Sequence, residues 1–224
     1  MKKNLTIGSF ALAGILFLIT FGCGVKEKES KKGGETVIIG EQEWMTKNLT
    51  ASTFRNGDPI PEAKTNEEWE NAGKEGKAAW CYFANDMAND SIYGKLYNWY
   101  AVSDPRGIAP TGWHVPSDDE WTQLIDYLGG GVVAGAKMKS EAGWFRDRNG
   151  TNETGFSGLP GGSRGSNGEF SAAPERGGTI GCWWSSTETY SNYAWTRYLS
   201  YTVDFAYKDY YYKELGFSVR CIKD

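Results

Sequence analysis

Apolar residues recur along this chain with two different periods, and each period predicts a different kind of element. Trp121, Leu124, Ile125 and Leu128 follow the i, i+3, i+4, i+7 spacing of one buried helical stripe. Ser117 and Glu120 stand just ahead at capping-box spacing, and the acidic run at 118–120 suits the positive end of a helix dipole. The pattern therefore predicts a core-facing helix from Ser117 to Leu128, ended by Gly129 to Gly131. Thr65 and Glu68 repeat the capping spacing and predict a shorter helix that ends near Gly73. Leu96, Trp99 and Tyr100, also at helical spacing, predict a third, short one.

Strand signals fill most of the remainder. Thr36 to Ile39 is a β-rich run, "AAWCYFAND" reads as a strand by its aromatic content, and the chain beyond about residue 150 alternates glycine-rich turns with short apolar runs. From Ala194 to Tyr210 the odd positions (Trp195, Arg197, Leu199, Tyr201, Val203, Phe205, Tyr207) are largely apolar and the even ones mostly polar. That alternation predicts half-buried strands with the odd residues anchored and the even ones facing solvent. Seven of the thirteen tyrosines lie between Ser191 and Glu214, three of them consecutive at Tyr210, Tyr211 and Tyr212.

Tyrosine offers large, stiff, amphipathic contact area at low entropic cost, and Ser, Thr and Asp add hydrogen bonding, so an exposed concentration of them marks a binding surface. The candidate ligand-binding residues are Thr196, Tyr198, Ser200, Thr202, Asp204, Tyr207, Asp209, Tyr210, Tyr211 and Tyr212, the last four as a turn. The plainer alternative is a tyrosine-rich strand pair that simply packs, since tyrosine favours β structure.

The amino terminus adds compartment. Lys2 and Lys3 precede an apolar run from Leu5 to Phe21, closed by Gly22-Cys23, which reads as a signal peptide over residues 1–22. The junction resembles a bacterial lipobox, although Thr20 and Phe21 stand where leucine and a small residue are usual; the resemblance implies lipidation of Cys23. Residues 23–35 then form a charged, flexible tether, and 36–224 one domain large enough for a sizeable core. The expected location is the bacterial cell envelope, as a surface-exposed outer-membrane lipoprotein.

The formal net charge is −4, and the leader removes two lysines and no acid, leaving −6. That balance argues against nucleic acid as a partner, which calls for clustered Lys and Arg. The expected partners are the membrane, through the lipid anchor, and a protein or glycan on another cell, phage or host.

Little in the sequence points to catalysis. His114 is the one histidine and reads as structural, no cysteine pair has zinc-ligand spacing, and "GLPGGSRG" lacks the Gly-Lys-Ser/Thr of a phosphate loop. No cofactor is expected; Ca²⁺ held by Asp86 and Asp90 is weighed behind a solvated turn. Three cysteines remain besides Cys23, and not all can pair; Cys81–Cys221 is the expected disulfide, with Cys182 the odd thiol.

Several ordered blocks, "GKLYNWYAV", "DPRGIAPTGWHVPSDDEWTQL", "GTNETGFSGLPGGSR", "WWSSTE" and "GFSVRC", resemble the major paralogous domain of Fibrobacter succinogenes, common in exported lipoproteins of Bacteroidetes-type bacteria. More distantly, "LYNWYAV…GWHVPSDDEW" and "GFSVRC" are similar to the formylglycine-generating enzyme superfamily. The resemblance implies an α+β, C-type-lectin-like fold, with two main helices on a twisted, mostly antiparallel sheet and long glycine-rich loops. The enzyme branch uses a reactive cysteine pair; only Cys182 and Cys221 are available here, far apart in sequence, so a non-enzymatic binding role is expected.

Some members of the family resemble the variable proteins of diversity-generating retroelements, in which Asn codons become NNC codons. All ten candidate residues fit NNC, while Trp195, Lys208, Lys213 and Glu214 do not and would be fixed framework. On that resemblance 190–216 is a variable binding region. The alternatives are an enzyme of the formylglycine-generating type and a structural envelope lipoprotein without a ligand.

Overall fold

Two capping boxes set the helical frame. In the computed structural model, which describes residues 35–171 and 178–224, the Thr65 hydroxyl accepts the Glu68 N–H at 3.1 Å and opens α1 (Asn66–Lys74). Ser117 and Glu120 form the same reciprocal cap ahead of the helix Asp118–Tyr127, whose Trp121, Leu124 and Ile125 are buried as the spacing predicts. Each fully buried side chain of this stripe is worth about 1.5–3 kcal/mol. The signal peptide, Cys23 and the tether through residue 34 lie outside the described residues.

In chain order the elements are β1 (Thr36–Ile39), β2 (Gln42–Met45), α1, β3 (Trp80–Tyr82), α2 (Asp90–Tyr93), β4 (Lys95–Tyr97), α3 (Trp99–Val102), β5 (Trp113–His114), α4 (Asp118–Tyr127), α5 (Gly131–Met138), β6 (Ser163–Arg164), β7 (Phe170–Ser171), β8 (Ile180–Tyr190), β9 (Tyr193–Ser200), β10 (Ala206–Tyr212) and β11 (Ile222–Lys223). The fold is α+β, and its strand ladders are antiparallel. One sheet has the order β1-β2-β11-β5, so Ile222 near the carboxyl end pairs with both Trp44 and His114. A second has the order β10-β9-β8, and β3-β4 and β6-β7 are two-stranded.

Large aromatics tie these layers together. Trp44 of β2 meets Trp121 of α4 at 4.8 Å between ring centroids, and Phe156 touches both and also Trp183 of β8. Arg220 lies over Phe156, buried, and donates to Asn48 Oδ1 and to the carbonyls of Met45 and Phe156. Burial pushes its pKa down to about 9, since neutral oxygens alone compensate the charge. Arg164 is held in the same way by the carbonyls of Ala63, Thr65 and Gly168.

The structure differs from expectation at four places. Gly129 and Gly130, at positive φ, end α4 as expected, but Gly131 at once begins a further helix, α5, that the pattern does not predict. Its glycines lower helix propensity, but a Cβ at Gly135 would lie 2.5 Å from the Asp204 carbonyl oxygen, so close packing on the β9–β10 loop demands glycine. Leu96 lies in strand β4, and the helix after it is the single turn α3, capped by Asn98.

Third, residues 194–210 are two strands and not one alternating run. β9 ends at Ser200, residues 201–205 form a loop, and β10 pairs back with each facing pair joining an odd and an even position, such as Tyr210 opposite Trp195. The reversal swaps the parity of the faces between β9 and β10; Thr196, expected outward, is 1% exposed because it lies on the central strand β9, which is buried on both faces, and Val203, expected as an anchor, is 40% exposed in the loop. Asp209 to Tyr212 are strand and not turn.

Fourth, Cys81, Cys182 and Cys221 are all free and buried, so Cys81–Cys221 is not a disulfide. Cys81 packs with Trp69, Phe83 and Leu96, whereas Cys221 belongs to the separate cluster around Trp184 and Phe217.

Candidate functional site

The tyrosine-rich strands form one three-stranded sheet of order β10-β9-β8. Over its inner half, one face is covered by α4 and α5. Arg197 donates to Asp118 Oδ1 at 2.8 Å, Lys208 reaches Asp118 Oδ2 at 2.6 Å, and Thr187 Oγ1 accepts the Asp118 N–H at 2.9 Å. Asp118, with little access to water, thus joins the first turn of α4 to all three strands, through its carboxylate to β9 and β10 and through its N–H to β8. The opposite face carries Cys182, Trp184, Ala194 and Tyr211 onto Phe217 and the main core.

Toward the tip, β8 shifts register between Trp184 and Glu188 and again between Glu188 and Tyr190. Such bulges increase local twist and re-aim the side chains that follow. Ser191 and Asn192 make the hairpin turn, with Tyr190 opposite Tyr193. Lys213 clamps this tip from behind: its Nζ donates to Glu188 at 2.7 Å and to the Ser191 carbonyl at 2.8 Å, 4.7 Å above the Trp99 ring.

On the front of the tip four tyrosines form one contiguous surface. Tyr193 stands at its centre, 6.4 Å from Tyr190, 5.6 Å from Tyr210 and 4.4 Å from Tyr212. Tyr210 also meets Tyr190 at 5.8 Å and sits edge-on to Trp195 at 5.6 Å. Tyr190, Tyr210 and Tyr212 remain 63%, 42% and 50% exposed. A hydrogen bond with Tyr212, reinforced by burial and the neighbouring rings, pushes the Tyr193 pKa up to about 12, so its hydroxyl stays protonated across the physiological range. Lys208 lies 4.2 Å from the Trp195 ring centroid and supports that ring from the inner side.

The ten residues expected to bind ligand are not one surface. Tyr210 and Tyr212 belong to the exposed cluster. Tyr207 and Tyr198 stack face to face at 4.4 Å and 5° on the other side of the sheet, with Asp209 beside them. Tyr211 is half-buried against Phe217, and burial together with Asp209 pushes its pKa up to about 12. Thr196 donates from its hydroxyl to the Asp209 carbonyl and is framework. Ser200 and Thr202 share a hydrogen bond at the far end of β9, and Asp204 is paired with buried Lys139.

Tyr190, Tyr193 and Trp195 were absent from the expected set. Their signal was the Ser191-Asn192 dipeptide between two aromatic strands: read as a hairpin turn, it puts Tyr190 and Tyr193 on one face.

Other candidate groups have structural partners. His114 bridges Glu120 and Asp224, each at 2.8 Å. Asp86 caps a turn through the Ala88 N–H, and Asp90 pairs with Lys95. Among the described residues no group of three or more His, Cys, Asp or Glu could hold a metal ion. The thiols of Cys81 and Cys221 are pushed up by burial to about 11 and about 12, and that of Cys182 is also raised by burial.

The ordered blocks quoted above run through the elements that build this sheet and its backing. Residues 37–223 match the family described as the Fibrobacter succinogenes major domain. The chain belongs to that family. The match takes in the whole tyrosine cluster and the residues that clamp it. No curated protein and no solved structure matches the chain significantly.

Proposed function

We propose that this chain is an envelope-anchored recognition lipoprotein that binds its ligand on the aromatic surface of Tyr190, Tyr193, Tyr210 and Tyr212. One observation carries the reading: Tyr190, Tyr210 and Tyr212 lie open around the part-buried Tyr193, on a sheet held by Asp118 over its inner half and by Lys213 from behind the tip. Large exposed aromatics with no packing role mark interaction surfaces, and a rigid support lowers the ordering cost of binding. A C-type-lectin-like architecture and lipid attachment at Cys23 complete the proposal. They would hold the surface away from the membrane on the tether.

Buried thiols with raised pKa values are poor nucleophiles, which favours binding over a formylglycine-generating type of chemistry. The test is capture of intact target cells by the full chain and by its Tyr210→Ser/Tyr212→Ser form, in detergent. Recognition predicts capture by the first and loss of it in the second; equal capture sinks the reading.

Retroelement diversification of 190–216 is part of the same proposal, supported by a division of labour. Codons outside the NNC set belong to Trp195, Lys208 and Lys213, and these residues pair with or support the sheet. Tyr190, Tyr193, Tyr210 and Tyr212, which form the cluster, all fall within it. Deep sequencing of those codons in a clonal population, with the neighbouring DNA, tests this. Changes confined to adenine-templated codons beside a near-copy template support diversification, and uniform codons without a template refute it.

A further inference from the structure

We infer that the uncharged protrusion where α4 meets α5 docks on a zwitterionic lipid surface and fixes how the domain stands on its membrane. The inference rests on the proposed lipid attachment at Cys23 and goes beyond it. Tyr127, Val132 and Val133 carry it, at 66%, 71% and 42% exposure.

Composition comes first. Residues 127–136 hold no Asp, Glu, Lys or Arg, and the Tyr127 phenol is their one polar side chain. Gly129 and Gly130, both at positive φ, turn the chain from one helix into the next. Val133 folds back on this turn, so that a Cβ on Gly129 would stand 3.2 Å from its methyl, and the Tyr127 ring covers Gly40 after β1. Two open valines and a tyrosine, with no charge among them, suit the boundary between lipid headgroups and acyl chains.

The backbone of the turn fits the same surroundings. Away from water an unpaired N–H is costly. The Gly129 and Gly130 N–H groups donate to the carbonyls of Asp126 and Ile125, and those of Val133 and Ala134 both donate to the Gly130 carbonyl. Four N–H groups of the protrusion are thus paired within it, before any partner arrives.

Placement selects the membrane as the partner. A Cβ on Gly131 would lie 3.1 Å from the Phe205 ring and 3.2 Å from the Ala206 carbonyl oxygen, so α5 starts against the base of β10. Ala206 pairs with Leu199 at that base, and Tyr212 pairs with Tyr193 at the other end, about 20 Å along the strand. The protrusion and the tyrosine surface therefore lie at opposite ends of one sheet, and docking the first turns the second outward. Gly40, under Tyr127, is about 17 Å along β1 from Glu35, while residues 24–35 reach about 40 Å at full stretch. A lipid on Cys23 would hold the protrusion at high effective concentration against one surface, the membrane it enters.

The acylated full chain, reconstituted with vesicles of phosphatidylcholine and phosphatidylethanolamine, tests the inference. One form carries an environment-sensitive fluorophore at Val132→Cys, and a reference form carries it at Ser166→Cys, exposed between β6 and β7; Cys81, Cys182 and Cys221 are buried and shielded from the reagent. The first label should shift to the blue and be quenched by lipids with a headgroup nitroxide, and the reference label should do neither. Adding Val133→Asp should abolish both signs, because a charge keeps to water, and leave the thermal midpoint unchanged, as at other exposed positions. Flotation with the vesicles should be equal in all forms, since the acyl chains hold the protein.

A chain that floats while its first label stays unquenched overturns the docking and leaves lipid attachment standing. Equal quenching of both labels, or quenching that survives Val133→Asp, overturns it as well, since no single face would then meet the lipid. A chain that does not float removes lipid attachment itself, and the docking with it.

Discussion

Tyr210, Tyr211 and Tyr212 are consecutive and chemically identical, yet the sheet gives them two different tasks. Strand pleating turns Tyr210 and Tyr212 to the open cluster and Tyr211 inward to Phe217. Removing the outward pair should change stability by no more than about 0.5 kcal/mol, as for other surface positions. Tyr211→Ser should cost about 2 kcal/mol, since a half-buried ring loses part of a full aromatic truncation. The sequence shows the excess of tyrosine, but not which ones are open. That depends on the phase of alternation, which the loop 201–205 resets between β9 and β10. Val203 misleads because it falls in that loop, and Thr196 because its strand is central and covered on both faces.

At the scale of elements, α4 was legible because its stripe, cap and acidic first turn all agree. α5 was not, because two glycines in eight residues argue against a helix until the strand loop packed against it is known. The partnership of α4 with the sheet is equally invisible in sequence, since Asp118 looks like an ordinary cap-region acid. In the fold its carboxylate holds both Arg197 and Lys208. Asp118→Asn should therefore leave a buried guanidinium without its counter-charge and cost about 3 kcal/mol, read as a lowered thermal midpoint. A midpoint equal to wild type would mean that the pair does not join helix to sheet. The unpaired edge of β10 carries Lys208 and Asp209 among its tyrosines, charges of the kind that discourage edge-to-edge association.

Across the whole molecule, the carboxyl-terminal strand closes the fold by pairing with β2 and β5, and His114 adds a charge-dependent tie to Asp224 and Glu120. Partial burial alone would lower the His114 pKa, but the carboxylates of Asp224 and Glu120 outweigh it and hold the pKa above 6.5. Its contribution is thus complete below pH 6.5 and fades as pH rises through the raised value. Glu120 feels a smaller opposing effect of burial than of its bonds to Ser117 and His114, so its pKa sits below 4.5 and its contribution is lost as pH falls through that lowered value. His114→Gln should flatten the dependence of the thermal midpoint on pH between about pH 6 and pH 8. An unchanged slope would show that other groups set it.

The account stands most directly on separating recognition from stability within three neighbouring residues. The measurement is the thermal midpoint and cell capture, side by side, for the full chain, Tyr210→Ser/Tyr212→Ser and Tyr211→Ser. The double variant should keep its midpoint and lose capture. Tyr211→Ser should lower the midpoint by about 4–8 °C, yet capture normally while folded. A double variant that unfolds early, or one that captures as well as wild type, would contradict the claim that the open tyrosines exist to be bound.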